Sequence, residues 1–132
     1  RIKTRFIKNE TLKRKAMSQI NLNNKTFVLL ENSENGVVNS ETRFDYKQEG
    51  TLVTANYSGG TVIKGTIIGQ LIAFDLFMLY HCITSSNELK AGKATAQVST
   101  NSNGRIELHL KWKWLTSEES GESVYVEQAL NS

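Results

Sequence analysis

Proline does not occur anywhere in the 132 residues, and cysteine occurs once. Without proline no loop is pre-set near φ −65°. The turns must be built instead by Asn, Ser and Gly, which reach positive φ or hydrogen-bond their own backbone. A lone cysteine, Cys82, excludes an internal disulfide and fits a reducing compartment, so a cytoplasmic location is expected. Long apolar runs are missing as well. The longest, Leu71–Tyr80, is broken by Asp75 and falls far short of the roughly 20 residues that a membrane-spanning helix needs. Membrane insertion is therefore not expected, and residues 1–16 lack the continuous apolar segment of a secretory leader. No stretch after Met17 holds the 3.6-residue period of an amphipathic helix over helical length.

What the chain does contain is enough to fold. An apolar share of 39% with 22% charged residues reads as one globular domain rather than a disordered chain. Charge divides sharply along it. Residues 1–16 hold seven basic residues (Arg1, Lys3, Arg5, Lys8, Lys13, Arg14, Lys15) against Glu10, a net +6. The remainder holds nine basic and twelve acidic residues, a net −3, so the overall +3 comes from the arm alone. Met17 reads as a natural start, which would make residues 1–16 extraneous upstream sequence and 17–132 the domain.

Beyond Met17, short runs of period two are cut by Asn, Gly and Ser every eight to twelve residues, the spacing of an antiparallel sandwich or barrel. Strands are expected at 25–31, 41–48, 51–57, 61–70, 76–83, 93–99, 105–114 and 123–128. Turns fall at Asn32–Gly36, Ser58–Gly60 and Thr100–Gly104, and residues 84–92 read as a polar loop. The alternation is clearest at Arg105–Trp114, where Ile106, Leu108, Leu110, Trp112 and Trp114 oppose Glu107, His109, Lys111 and Lys113. About eight strands joined by short loops must hide their edges, and closure does so completely. The expected fold is all-β: a small antiparallel up-and-down barrel, a lipocalin-like meander, with a basic N-terminal arm.

The constellations that could carry chemistry mostly dissolve on this pattern. His81 and Cys82 are neighbours on a strand and point to opposite faces, so they cannot act as base and nucleophile. Cys82 instead shares a face with Leu76, Met78 and Tyr80 and reads as a small core residue. His81 and His109 lack the spacing of a metal site, and no metal or cofactor is expected. Gly60–Thr66 has the Gly-x-x-x-x-Gly spacing of a phosphate loop, but Thr66 stands where lysine is needed and no helix follows. Gly65 and Gly69 share one strand face, where they permit a bend or make room for a large ring. Glu118, Glu119, Glu122 and Glu127 could pair as acid and base, yet read more simply as solvated. Lys111 and Lys113 face away from Trp112 and Trp114, which argues against a base-stacking nucleic-acid surface. No specific nucleic-acid contact is expected.

Four stretches look familiar: 34–50 (ENGVVNSETRFDYKQEG), 57–60 (YSGG), 88–92 (ELKAG) and 111–114 (KWKW). Together they resemble a family of short, uncharacterised bacterial proteins that often carry the label N-acetylglutamate synthase, with the likeness running from Asn21 to Glu127. The resemblance implies acetyl transfer to glutamate and a family start near Met17. The residues themselves contain no Arg/Gln-x-x-Gly-x-Gly/Ala loop opening a helix, the device whose amides hold the pyrophosphate of coenzyme A.

Two functions from different classes follow from the residues. The first is a binding module whose barrel interior takes a small, partly apolar ligand between Phe44, Tyr57, Tyr80, Trp112 and Trp114. The second is a structural or protein-interaction domain without a ligand. No catalytic set stands out, and neither ligand identity nor oligomeric state is written in the pattern. The charge division makes one prediction. Affinity for nucleic acid or anionic lipid should reside in residues 1–16 and be nonspecific, so deleting them should abolish retention on heparin at about 0.15 M salt. Retention of the shortened protein would place the basic surface on the barrel.

Overall fold

Alternating apolar and polar residues commit a segment to a pleated strand with one wet face. Eight such segments form in the computed structural model, which describes residues 20–32 and 37–128. They are β1 (Lys25–Asn32), β2 (Arg43–Glu49), β3 (Leu52–Gly59), β4 (Val62–Ile72), β5 (Asp75–Thr84), β6 (Leu89–Thr100), β7 (Ile106–Trp114) and β8 (Ser120–Glu127). Each pairs antiparallel with the next, and β8 returns to β1, giving a closed up-and-down barrel with no helix among the described residues. The expected all-β barrel is the observed one. The basic arm and most of the Asn32–Gly36 turn lie outside the described residues.

Two strands begin three or more residues earlier than the pattern predicts. β6 starts at Leu89 rather than Lys93, and β8 at Ser120 rather than Ser123. At the start of β6 the usual polarity is inverted. Leu89 faces water, 73% exposed, while Lys90 shares the inner face with Gly92 and Cys82, which it pairs directly. A lysine can sit on the inner face there because the barrel's mouth admits water to its ammonium.

The two ends of the barrel differ. At the end where β1 begins, Leu22, Phe27, Val53, Leu76 and Leu108 are fully buried, and Leu22 donates its amide to Gln48 Oε1 at 2.8 Å. The seam of the barrel is tied at the same end. Glu127 on β8 receives Lys25 Nζ from β1 at 2.8 Å and the Ile106 amide from β7 at 3.0 Å. At the other end the β1–β2 connection folds over the mouth. Thr42 Oγ1 donates to the Gly59 carbonyl at 3.0 Å, and Gly59 and Gly60, both at positive φ, leave room for Glu41 and Asn39 of that connection.

Two further glycines shape the interior. Gly65 lies directly across from Tyr57, and Gly92 from Tyr80. A methyl group at Gly65 would sit 2.2 Å from Tyr57 Cζ, and one at Gly92 would sit 2.5 Å from Tyr80 Cζ. Each tyrosine ring thus lies flat over a glycine on the next strand. The interpretation of Gly65 as room for a ring holds. Gly69 serves a different neighbour, since a methyl group there would meet the Phe77 carbonyl at 2.7 Å.

Two predictions follow from these contacts. Gly65→Ala should lower stability to chemical denaturation by roughly 1–3 kcal/mol, the usual cost of overpacking. Most of that loss should vanish in a Tyr57→Leu background, because the clash is with the ring. Burial alone would raise the Glu127 carboxyl, but the Lys25 and Ile106 hydrogen bonds and the charges of Lys25 and Arg105 outweigh it and hold it below the ordinary 4.5. A depressed carboxyl stabilises the fold above its unfolded value and loses that contribution as pH falls through the folded one. Wild type should therefore exceed Glu127→Gln by about 1–2 kcal/mol at neutral pH. The gap should close as unfolding is measured well below pH 4.5. A gap independent of pH would assign the effect to packing.

Candidate functional site

The inward positions of the mouth half carry rings. Phe44 and Tyr57 stack at 4.7 Å between centroids, and Tyr125 meets Phe44 edge-on at 4.9 Å. Across the barrel Tyr80 meets Trp114 edge-on at 5.3 Å, with Trp112 a further 6.3 Å along β7. These two trios border one cavity of about 50 Å³, whose lining also includes Ile67, Met78 and Cys82. All five residues singled out from the sequence, Phe44, Tyr57, Tyr80, Trp112 and Trp114, line it. Its size matters: at roughly 10–15 Å³ per water it holds a few water-sized atoms, well below the several hundred cubic ångströms of a drug-sized site.

Polar groups in the lining are connected in one direction and open in the other. Trp112 Nε1 donates to Ser123 Oγ at 2.8 Å, Ser123 Oγ donates to Asn32 Oδ1, and Asn32 Nδ2 donates to the Val38 carbonyl at 2.9 Å. This relay runs from β7 through β8 and β1 to the roof of the mouth. Tyr57 donates its hydroxyl to the His81 carbonyl at 3.3 Å. Trp114 Nε1 is different: it is buried and has no hydrogen-bond partner among the described residues. Lys90 holds its ammonium 4.7 Å from the Trp114 ring centroid, a cation–π contact at the rim.

The interior is otherwise uncharged at neutral pH. Burial pushes the Tyr57 and Tyr80 hydroxyls well above their ordinary 10, with Cys82 and other tyrosines adding to the shift, and Tyr125 is pushed up to about 12. Burial also raises the Cys82 thiol, against smaller opposing effects of Tyr57 and Lys90, so it stays protonated and is a poor nucleophile. The cavity lining offers indole and hydroxyl donors and apolar rings, and among the described residues it contains no carboxylate or imidazole.

The remaining candidates are scattered. His81 faces outward and bonds Thr66 Oγ1 at 3.0 Å, while His109 pairs with Glu107 at 3.1 Å, two strands away and in a different row. No group of three His, Cys, Asp or Glu residues among those described could hold a metal ion. Glu118, Glu119 and Glu122 are exposed, and Glu127 is held by Lys25. Several lining residues escaped the sequence reading. Tyr125 and Ser123 are in phase on β8, so their alternation could have revealed them. Asn32 ends its strand, and nothing in the pattern announces its inward turn.

The resemblance to proteins labelled N-acetylglutamate synthase is overturned, and with it the lipocalin likeness. A family model described as avidin-like protein matches residues 20–128. The stretches behind that resemblance prove to be barrel-shaping parts: Asn39, Glu41 and Thr42 of 34–50 dock the roof on Gly59 and Gly60 of 57–60, 43–49 is strand β2, 88–92 ends in the glycine under Tyr80, and 111–114 belongs to the tryptophan strand. Residues that shape a fold carry no reaction with them, and no described helix offers its amides to a pyrophosphate. No curated protein and no solved structure matches the chain significantly. With 109 consecutive positions matched and the closed eight-stranded barrel in place, the chain belongs to the avidin-like protein family.

Proposed function

We propose that the barrel is a small-molecule-binding module whose site is the aromatic cavity at the mouth. The observation that carries this reading is the Trp114 indole N–H. A buried donor left unmatched costs roughly 1–3 kcal/mol, and such groups call for an explanation in ligand or solvent. An acceptor atom entering the cavity would recover that cost, whereas the Trp112 donor is already committed to Ser123.

The ligand's chemistry follows from the walls. Its inserted part is compact and flat, to fit about 50 Å³ between rings. It is uncharged, since the described residues of the lining include no ionised partner for it, and it presents a carbonyl-type acceptor. The rest of the molecule lies at the mouth beside Lys90, where a carboxylate would be welcome. Biotin has this division, with a neutral cyclic urea at one end and a carboxylate at the other. Membership of an avidin-like family makes it the first probe to use.

The test is a titration of the protein with biotin and with imidazolidin-2-one, the bare cyclic urea, followed by tryptophan emission and calorimetry. Either compound should perturb the emission saturably. Trp114→Phe, which keeps a ring and removes the donor, should weaken binding about tenfold, the equivalent of one hydrogen bond of 1.4 kcal/mol. Absence of saturable binding by both probes, or an unchanged affinity in Trp114→Phe, would count against the reading.

A further inference from the structure

The outside of the barrel holds a second concavity, which shares only Met78 and Trp112 with the lining of the interior cavity. Leu52, Ile68, Phe77 and Leu79 face outward on β3, β4 and β5 and are each about half exposed. They border an open groove of about 740 Å³ that crosses β6 and ends on Lys111 and Lys113 of β7. The register aligns two rows across it. One runs Gln70, Phe77, Thr95, Lys111, and the next runs Ile68, Leu79, Lys93, Lys113. One wall is thus apolar, the opposite wall is cationic, and the floor is Thr95 and Lys93.

This arrangement is unfavourable for the barrel by itself. Lys93 and Lys113 are direct cross-strand partners, and like charges so placed repel. The outward residues of β6 include no acid, and Glu122 on β8 is the direct cross-strand partner of Lys111, which leaves Lys93 and Lys113 as the two lysines with no acid directly opposite in the register. Half-exposed aliphatic and aromatic side chains facing lysines across a groove within the size range of ligand sites form the complement of an amphiphile. The geometry points to a binding site for a single-chain fatty carboxylate, with its acyl chain along Phe77, Leu79 and Ile68 and its carboxylate between Lys93 and Lys113.

Charge selects this occupant. The lining runs from Leu52 on β3 to Lys111 and Lys113 on β7, with its outward apolar side chains on β3, β4 and β5 and its lysines on β6 and β7. An acyl chain and an anionic head therefore have separate places along it, and the head meets two lysines.

Dodecanoate, titrated calorimetrically into the full chain below its micellar concentration, is the probe. One molecule should bind per barrel. Lys93→Glu combined with Lys113→Glu should weaken it by more than tenfold, the 1.4 kcal/mol or more expected of a charge-assisted contact. Leu79→Asn should weaken it as well. Both variants alter exposed positions, and unchanged circular dichroism would verify their folding. Dodecyltrimethylammonium, with the same chain and the opposite charge, should not bind. The proposal is overturned if the groove variants bind dodecanoate normally, if the cationic amphiphile binds equally, or if Trp114→Phe alone abolishes binding, which would move the chain into the interior. It is also overturned if dodecanoate fails to bind while Leu79→Asn dissolves a dimer in sedimentation, which would make the groove's occupant a second copy. Binding to phosphatidylglycerol vesicles without binding of free dodecanoate would likewise replace it with a membrane surface.

Discussion

The β1–β8 ladder is the interaction on which the rest of the structure depends. Until it forms, the sheet has two open edges and neither face is committed. Once Phe27, Val28 and Leu29 pair with Glu127, Val126 and Tyr125, alternate residues on every strand are assigned either to a shared interior or to water. The ladder is not regular. It slips between Leu29 and Glu31, and a bulge of this kind bends a strand just before Asn32 turns its side chain toward the mouth. The Lys25–Glu127–Ile106 cluster fastens the regular end of the same seam.

An eight-stranded barrel has an interior that side chains can just fill, so any cavity in it has to be created by the choice of residues. At the closed end branched aliphatic residues and Phe27 fill it. At the mouth the same width is spanned by rings, and rings pack well only where something opposite is absent. The glycines beneath Tyr57 and Tyr80 supply that absence. They let two rings lie against the wall instead of across the lumen, and the space left between the aromatic trios is the cavity. The same residues that look like weak points in their strands are therefore the reason the interior is not uniformly packed.

Along β7, alternation alone placed Trp112 and Trp114 inside and Lys111 and Lys113 outside, and the burial pattern agrees. Phe44, Tyr57 and Tyr80 were legible for the same reason. Lys90 was not, because a charge on an inner position reads as a loop until the mouth is known to be open. The short relay through Ser123 and Asn32 was equally hidden: its partners are 91 residues apart and meet only across the seam. Likeness of short stretches misled in the other direction. It singled out turn and ring-seat residues that many barrels could need and attached a reaction to them, where the match over residues 20–128 identifies an avidin-like protein.

Period-two alternation, punctuated by glycine and asparagine in a chain without proline, by itself determined that this protein is an antiparallel meander of about eight strands and which apolar residues within the alternating runs face inward. These are local properties, set by the geometry of one strand and its turns. Which rings share a cavity, how large that cavity is, which indole donor finds a partner, and which lysines confront an apolar wall were decided only by the tertiary structure. Each depends on the register between strands and on closure, and so on distances between residues that the chain's order keeps far apart.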